Sequence, residues 1–152
     1  MNKPLKTALF SIGLAQSLKV PLKRLKTGQW DLGAILETGG MPSSHSAGVA
    51  SLATYIAKQR GVKTIDFALA AIFGMIVMYD AQGVRRQAGE IAIKLNDLEE
   101  EMEHLAGMKE RHYHDRKEKR LKEALGHQPI EVIGGALLGI AIGLIAYNVL
   151  EK

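Results

Sequence analysis

Cysteine is absent from this chain of 152 residues, and aromatic residues make up only 5% of it. The lack of cysteine excludes disulfide bonds and any metal site built on thiolates. The scarcity of aromatics weighs against nucleic-acid binding. The most basic segment, residues 108–123, holds Tyr113 as its single aromatic, and acids are mixed among its bases. We therefore expect no nucleic-acid partner.

Charged residues are missing from four windows, which are residues 7–18, 38–57, 67–79 and 132–150. The last window, VIGGALLGIAIGLIAYNVL, has 19 residues, close to the ~20 that a helix needs to cross a hydrocarbon core. The first and third are shorter and fit a buried helix as well as a spanning one. We predict an all-α, integral membrane helical bundle with about four membrane-embedded helices, in a single domain of residues 1–152.

The stretch between the third and fourth windows is highly charged and predicts a helical hairpin outside the membrane, inserted at residues 86–125. Residues 90–103 hold six acids against one lysine, whereas residues 108–123 hold seven bases against four acids. Two antiparallel helices would therefore pair opposite charges. Apolar residues recur at spacings of three and four: Ile91, Leu95, Leu98, Met102 and Leu105. This apolar stripe fits a solvated spacer arm or a seam for a second copy of the chain.

Glycine recurs at every fourth residue in the last window, at positions 135, 139 and 143. Small residues at this spacing let another helix approach closely in lipid. This glycine ridge is expected to pack against a helix of the same bundle, or to form a homodimer.

Turn signals place the helix ends. We expect a first helix over about residues 4–18, followed by a basic tail that Pro21 interrupts. A glycine-rich loop then offers Ser43 or Ser44 as the N-cap of a second helix. The third helix begins near residue 64 and continues beyond its apolar window into the charged hairpin.

Consecutive spans alternate in direction, so four helix junctions meet at one face of the membrane. They carry two histidines, several cations and two carboxylates, namely Lys19, His45, Asp80, Arg85, Arg86, His127 and Glu131. Polar residues at such depth are costly and usually functional. The sequence therefore predicts a site at one end of the bundle.

The chemistry that fits these residues is phosphoryl transfer. One histidine can attack phosphorus while the other protonates the leaving oxygen. Glu131 follows His127 by four residues, which puts both side chains on one helix face, where the carboxylate can hold the imidazole in one tautomer. Cations and the free N–H groups of a helix start can bind the phosphate. These phosphate-binding groups are Lys19, Arg85, Arg86, Ser43 and Ser44.

Three motifs, MPSSHS, IVMYDAQGVRRQAGEIAIKLN and LGHQPIEVIGGALLGI, resemble the divergent branch of the type-2 phosphatidic acid phosphatase superfamily, which is related to vanadium-dependent haloperoxidases. The resemblance runs from about Gln16 to Tyr147. It implies an all-helical enzyme that forms a phosphohistidine and needs no metal or other cofactor. It also implies that His127 is the nucleophile, that His45 is the general acid, and that Glu131 stands where the superfamily usually has an aspartate.

The sequence departs from the superfamily pattern at the phosphate arginine. Leu121 occupies the position six residues before His127 where the superfamily places that arginine. Arg85 and Arg86 are the candidates to replace it, and Arg120 is their rival. If Arg85 or Arg86 binds the phosphate, the charged hairpin is an insertion between two halves of the third motif.

Other departures concern supporting residues. Lys19 and Arg24 only loosely imitate the lysine and arginine of the first motif, and Ser44 replaces a glycine. Asp80 either pairs with Arg85 or caps the end of the third span.

These observations predict a membrane lipid-phosphate phosphatase that acts on phosphatidylglycerophosphate, phosphatidic acid or a polyprenyl diphosphate. The alternative is a non-catalytic membrane protein that binds lipid or acts as a scaffold through its hairpin. Basic residues indicate the orientation, since six lie on the face that holds the termini and fourteen on the face of the site. The positive-inside tendency then turns the site of this cell-membrane protein toward the cytoplasm.

Overall fold

The computed structural model of the protein describes residues 2–35, 39–105, 121 and 126–152. Within them the chain forms five α-helices and no strand. The helices are α1 (Lys3–Thr27), α2 (Ser44–Arg60), α3 (Ile65–Gln82), α4 (Val84–Leu105) and α5 (Pro129–Leu150), with a short 3-10 turn at Leu32–Ile35. The all-α prediction is confirmed for this part of the chain.

Helix α1 is longer than the sequence indicates. The expected end near residue 18 is wrong, because the helix continues through Pro21 to Thr27 and ends at Gly28, whose φ of 76° suits glycine. A proline inside a helix removes one backbone hydrogen bond, here to the carbonyl of Ser17. Ser17 and Pro21 are both exposed, so solvent can satisfy that carbonyl.

Helix α2 lies at the centre of the bundle and contacts α1, α3 and α5. Its most extensive contact is with the glycine ridge of α5. A Cβ atom on Gly139 would overlap the carbonyl oxygen of Ala47, and one on Gly143 would come within 2.8 Å of the carbonyl oxygen of Ser51. Ser11 of α1 donates a hydrogen bond of 3.0 Å to the Ala47 carbonyl. The ridge therefore packs inside the bundle and is not available to a second copy of the chain.

Two stretches among the described residues are long and apolar enough to cross a membrane: Ile65–Met102, which contains α3, and Pro129–Leu150. The prediction of about four membrane-embedded helices is thus confirmed only in part. Helix α1 carries lysines near both ends, and α2 is rich in serine and alanine. Neighbouring helices surround α2 on several sides, which removes the need for the large apolar side chains of a lipid-facing span.

Helix α4 begins directly after α3, with Gly83 between them. It is the first limb of the predicted hairpin, and its apolar stripe is exposed, from 42% at Leu95 to 80% at Leu105. The prediction for the second limb, including Arg120, falls outside the described residues. The chain is described again at Leu121, which hydrogen-bonds to the side chain of Asn96 in α4.

The carboxylate of Glu151 joins the helix ends on the side of the bundle that holds the termini. It accepts hydrogen bonds from Lys3 Nζ at 3.0 Å, Tyr55 Oη at 2.9 Å and Gln59 Nε2 at 3.1 Å. These bonds tie α1, α2 and the residue after α5 together. The hydrogen bonds from Lys3 and Tyr55 lower the pKa of Glu151 below its usual 4.5, because they stabilise the ionised carboxylate.

The stability of the fold should therefore depend on pH through Glu151. A lowered carboxyl pKa stabilises the folded state above the usual value of 4.5, and this contribution is lost as the pH falls through the folded-state pKa. We expect Glu151→Gln to melt below the native protein at neutral pH, with the difference closing in acid. Thermal unfolding in detergent across a pH series measures this difference, with the exposed Glu101→Gln as the control. A difference that stays constant into acid would contradict the assignment.

Candidate active site

His127 lies just before α5, and its side chain is only 2% exposed. Its backbone N–H donates a hydrogen bond of 2.9 Å to the carbonyl of Ala81 near the end of α3. Its Nδ1 lies 3.1 Å from Glu131 Oε2, and the same oxygen accepts the backbone N–H of Gln128 at 3.1 Å. Because this carboxylate oxygen already accepts the Gln128 N–H, a neutral imidazole in this geometry carries its proton on Nδ1 and its lone pair on Nε2.

The Nε2 atom of His127 is buried and has no hydrogen-bond partner among the described residues. Buried polar atoms in folded proteins are nearly always hydrogen-bonded, so an orphaned one calls for an explanation. An imidazole whose Nδ1 is held by a carboxylate and whose Nε2 is bare has the arrangement of a nucleophile or base that awaits a substrate atom.

Glycine is required directly before His127. A Cβ atom on Gly126 would overlap the backbone nitrogen of Arg86 and come within 2.8 Å of the Ala81 oxygen to which His127 donates. The main chain can approach the start of α4 this closely only without a side chain. Gly126 is a position of the candidate site that sequence reasoning missed, and its one signal is its place before the histidine in LGHQP.

His45 lies in the first turn of α2, beside His127: the two ring centres are 6.2 Å apart, at an interplanar angle of 68°. It keeps contact with solvent and lies outside both candidate spans. Partial desolvation lowers the pKa of His45 below the usual 6.5, and the nearby His127, Arg85 and Lys19 lower it further, while Asp80 opposes them. An anionic phosphate beside the ring would raise the pKa of His45 and favour the protonated form that a general acid needs.

Two cations accompany the histidines, Lys19 from α1 and Arg85 from α4. Lys19 is only 4% exposed, and the charges of both residues act on His45. Arg85 Nε donates to Asp80 Oδ2 at 2.6 Å, a contact that does not use the two terminal nitrogens of the guanidinium. Asp80 therefore pairs with Arg85, as one of the two sequence interpretations proposed.

Arg86 and Arg24 make other contacts. Arg86 Nε pairs with Glu90 Oε1 one turn further along α4, at 3.1 Å. The Arg24 guanidinium lies 4.2 Å from the centre of the Trp30 ring, which is exposed. Among the predicted arginines in the described residues, Arg85 is the one that the structure brings to the histidines.

Ser43 and Ser44 open α2 next to His45, and both are buried. Ser43 Oγ accepts the backbone N–H of Ser46 at 3.3 Å and its hydroxyl at 3.0 Å. The backbone N–H of Ser43 donates to the carbonyl of Glu131 at 3.0 Å. Ser43 therefore caps α2 and fixes the turn that carries His45 against the first turn of α5.

This set of two histidines, a carboxylate and two cations at one end of a helical bundle has the composition of a phosphoryl-transfer site. The sequence matches the Divergent PAP2 family over residues 1–142, and the chain belongs to this family. The resemblance to a divergent branch of the type-2 phosphatidic acid phosphatases is thereby confirmed.

A relative in Bacillus subtilis (strain 168), described as the uncharacterized membrane protein YuiD, is 43% identical to the chain over 147 residues. The match covers 95% of this chain and 93% of the relative. No solved structure matches the chain. The relative and the two apolar stretches together support association with a membrane.

Proposed function

We propose that the protein is a membrane phosphatase that hydrolyses a lipid phosphate through a phosphohistidine. The observation that carries this proposal is the buried Nε2 of His127, which lacks a hydrogen-bond partner within the described chain and lies beside His45. Nε2 attacks phosphorus, and the bond between phosphorus and the leaving oxygen breaks. His45 gives its proton to that oxygen, so the lipid leaves as an alcohol or, from a diphosphate, as a lipid monophosphate.

Water completes the cycle. It attacks the phosphorus of phosphorylated His127, and the now neutral His45 takes the proton that the water loses. The bond between Nε2 and phosphorus breaks, and inorganic phosphate leaves. Glu131 holds the Nδ1 proton in both steps, which stabilises the positive charge that the ring acquires while Nε2 is phosphorylated.

Lys19 and Arg85 bind the phosphoryl oxygens. Lys19 supplies a compact charge, and the terminal nitrogens of Arg85 supply a planar fork. In the transition state of phosphoryl transfer the negative charge spreads over three equatorial oxygens. Cations fixed in advance around that position stabilise the transition state without reorganising. Asp80 contributes by holding Arg85 Nε.

A cavity of about 260 Å³ along α1 supports a lipid as the substrate. Charged and apolar side chains share its lining, which includes Lys19, Lys23, Lys26, Leu22 and Met41. This mixture suits the boundary between the anionic head and the apolar body of an amphiphile. The substrate is phosphatidylglycerophosphate, phosphatidic acid or a polyprenyl diphosphate.

Four helices lie in the membrane in this proposal, with α1 and the part of α2 beyond its first turn added to the two candidate spans, so that His45 stays at the membrane surface. In support, α1 exposes Leu5, Leu9 and Phe10 by 50%, 60% and 63%, as a helix that faces lipid would. The site faces the cytoplasm, because the end of the bundle that carries it holds most of the basic residues.

Single cysteines test this orientation cleanly in a chain that has none of its own. Gln29→Cys lies just after α1, at the end of the bundle that holds the site. Lys63→Cys lies between α2 and α3, at the opposite end of the bundle. Both positions are exposed. In intact cells, a membrane-impermeant maleimide should label Lys63→Cys and leave Gln29→Cys unlabelled until lysis. The reverse pattern would turn the site away from the cytoplasm.

Phosphate release tests the activity itself. Protein purified in detergent is given each of the three lipid phosphates in turn, with orthovanadate as an inhibitor that mimics five-coordinate phosphorus. We expect turnover of at least one lipid, abolished by orthovanadate. Folded protein that releases phosphate from none of them would overturn the proposal. It would favour a non-catalytic lipid-binding or scaffolding protein, for which the exposed apolar stripe of α4 offers a surface.

A further inference from the structure

The apolar stripe of α4 extends back to the first residue of the helix. Ahead of Ile91 the pattern continues with Ala88 and Val84, so apolar residues recur at alternating spacings of four and three along all of α4. Three heptads of this kind are typical of a coiled coil, and we call these residues the α4 seam. The side chains of the α4 seam are all exposed: Val84, Ala88, Ile91, Leu95, Leu98, Met102 and Leu105.

No described helix covers the α4 seam. Among the described helices, α4 contacts α3 and no other. The chain that returns to the bundle meets a different side of α4, where Leu121 hydrogen-bonds to Asn96. At 3.6 residues a turn, the buried Gly89, Ala92 and Asn96 share a face that lies roughly 130° around the helix from the seam. Apolar side chains gain free energy when they leave water, so the seam is suited to a partner.

The charges of α4 oppose a lipid bilayer as that partner. From residue 90 to residue 103 the sequence holds six acids and one lysine. The anionic head groups of a cytoplasmic leaflet attract basic segments and repel acidic ones. A helix that lies on such a surface would bring these acids close to the head groups, so the seam is better matched by protein.

A second copy of α4 matches the charges beside the seam. With Leu95 at an a position and Leu98 at a d position, Lys94 is a g residue and Glu99 an e residue, and both are exposed. In a parallel coiled coil, a g residue faces the e residue five positions further along the other helix. Lys94 of each copy then pairs with Glu99 of the partner subunit, which gives two symmetric ion pairs.

The same charges select the direction of the second helix. Lys94 lies at the middle of residues 84–105, so an antiparallel arrangement with full overlap would place the two copies of Lys94 against each other. Two copies in one membrane also share one orientation, so α4 helices that leave the membrane side by side run parallel.

We propose that the α4 seam is the interface of a parallel homodimer, in which two copies of the chain pair their α4 helices outside the membrane. The glycine ridge of α5 takes no part, because it is already packed against α2. Burial of the seam stabilises the dimer, and the pairs of Lys94 with Glu99 set its direction and register. The inference goes beyond the proposed phosphatase function and does not depend on it.

Single cysteines test the seam in a chain that has none of its own. Leu98→Cys lies near the middle of the seam and Val84→Cys at its start. Asp97→Cys is the control, on an exposed position outside the seam. In a parallel dimer equal positions of the seam face each other within the reach of a disulfide. Mild oxidation of cell membranes should therefore cross-link Leu98→Cys and Val84→Cys into dimers and leave Asp97→Cys monomeric.

Two results of this experiment would overturn the inference. If Leu98→Cys cross-links no faster than Asp97→Cys, the seam is covered by lipid, by another protein or by another segment of the same chain. If Val84→Cys joins Met102→Cys in a mixed sample and neither joins itself, the helices run antiparallel.

Exchange of charges tests the register. Lys94→Glu puts a carboxylate opposite Glu99 in both pairs, so the dissociation constant of the dimer should rise on the order of tenfold. Adding Glu99→Lys re-forms both pairs in reverse and should restore the native value. Asp97→Lys reverses a charge outside the seam and should leave the dissociation constant within about twofold of the native one.

Sedimentation velocity in density-matched detergent measures these dissociation constants. A native protein that stays monomeric at every concentration would overturn the inference, as would a double variant that dimerises as weakly as Lys94→Glu. None of these measurements involves phosphate release. An inactive protein that cross-links through Leu98→Cys would thus refute the phosphatase proposal alone, and an active monomer would refute the dimer alone.

Discussion

Replacing His127 with glutamine should reduce phosphate release by about 10⁴-fold or more, the loss that follows when the nucleophile of a catalytic relay is removed. Glutamine has no nucleophilic nitrogen, and its amide still fills much of the buried space of the imidazole. The substrate should still bind, because Lys19 and Arg85 belong to other helices. KM or the binding constant should therefore change far less than kcat.

The covalent intermediate gives this prediction a second measurement. After rapid mixing with a ³²P-labelled lipid phosphate and an alkaline quench, native protein should carry label that is stable to alkali and released by acid, whereas His127→Gln should carry none. His104→Gln, at a histidine in α4, is the matched control and should keep both label and turnover. Label that persists in His127→Gln would move the nucleophile to another residue.

Glu131→Gln completes this series. The amide can donate where the carboxylate only accepts, so Nδ1 need no longer carry the proton and the lone pair of Nε2 is no longer assured. In a serine protease, changing the corresponding carboxylate to an amide costs about 10⁴-fold in kcat. We expect kcat to fall by the same order here, although His127 should still be the residue that carries the phosphate label. A full rate in Glu131→Gln would show that the 3.1 Å contact with His127 is structural only.

The local parts of this site are the parts that the sequence could predict. The spacing of Glu131 four residues after His127 predicts their contact, and the structure places them 3.1 Å apart. His127 lies just before the N-cap of α5, so the contact joins the entry to the helix with its first turn instead of two positions on one helix face. Ser43 as N-cap follows equally from local chemistry. To predict that Lys19, His45 and His127 converge, the sequence analysis needed one further premise, namely that consecutive helices alternate in direction.

Features set by distant contacts were missed for a physical reason. Asn96 and Leu121 are 25 positions apart, and nothing in the residues around either one indicates the other. Gly126 is required because it meets the backbone of α4, which a local pattern does not reveal. The continuation of α1 through Pro21 depends on the exposure of the carbonyl that loses its donor, and exposure is a property of the assembled bundle. The choice of Arg85 over Arg86 depends on which of the two charges reaches His45, and that is settled by the folding of α4 against the bundle.

His45→Gln should separate two kinds of substrate. An alkyl phosphate leaves as a strongly basic alkoxide unless it is protonated, so the variant should lose about 10²- to 10⁴-fold in kcat on lipid phosphates, the range of a general acid. Nitrophenolate is a far weaker base and leaves without a proton, so phosphorylation of His127 by p-nitrophenyl phosphate should remain fast. The native pH profile should agree: since the pKa of His45 is lowered, kcat/KM should fall as the pH rises through a value below the ordinary 6.5 of histidine.

The same variant should show a burst, because His45 serves both steps. With p-nitrophenyl phosphate the first step no longer needs an acid, but hydrolysis of the phosphohistidine still needs a base. His45→Gln should therefore release about one nitrophenolate per protein molecule rapidly and then turn over slowly. Asp80→Asn is the comparison variant for this burst, because it disturbs Arg85 and leaves both histidines in place. If His45→Gln loses the same factor on lipid and nitrophenyl phosphates and shows no burst, His45 does not transfer the proton, and its place 6.2 Å from His127 serves binding instead.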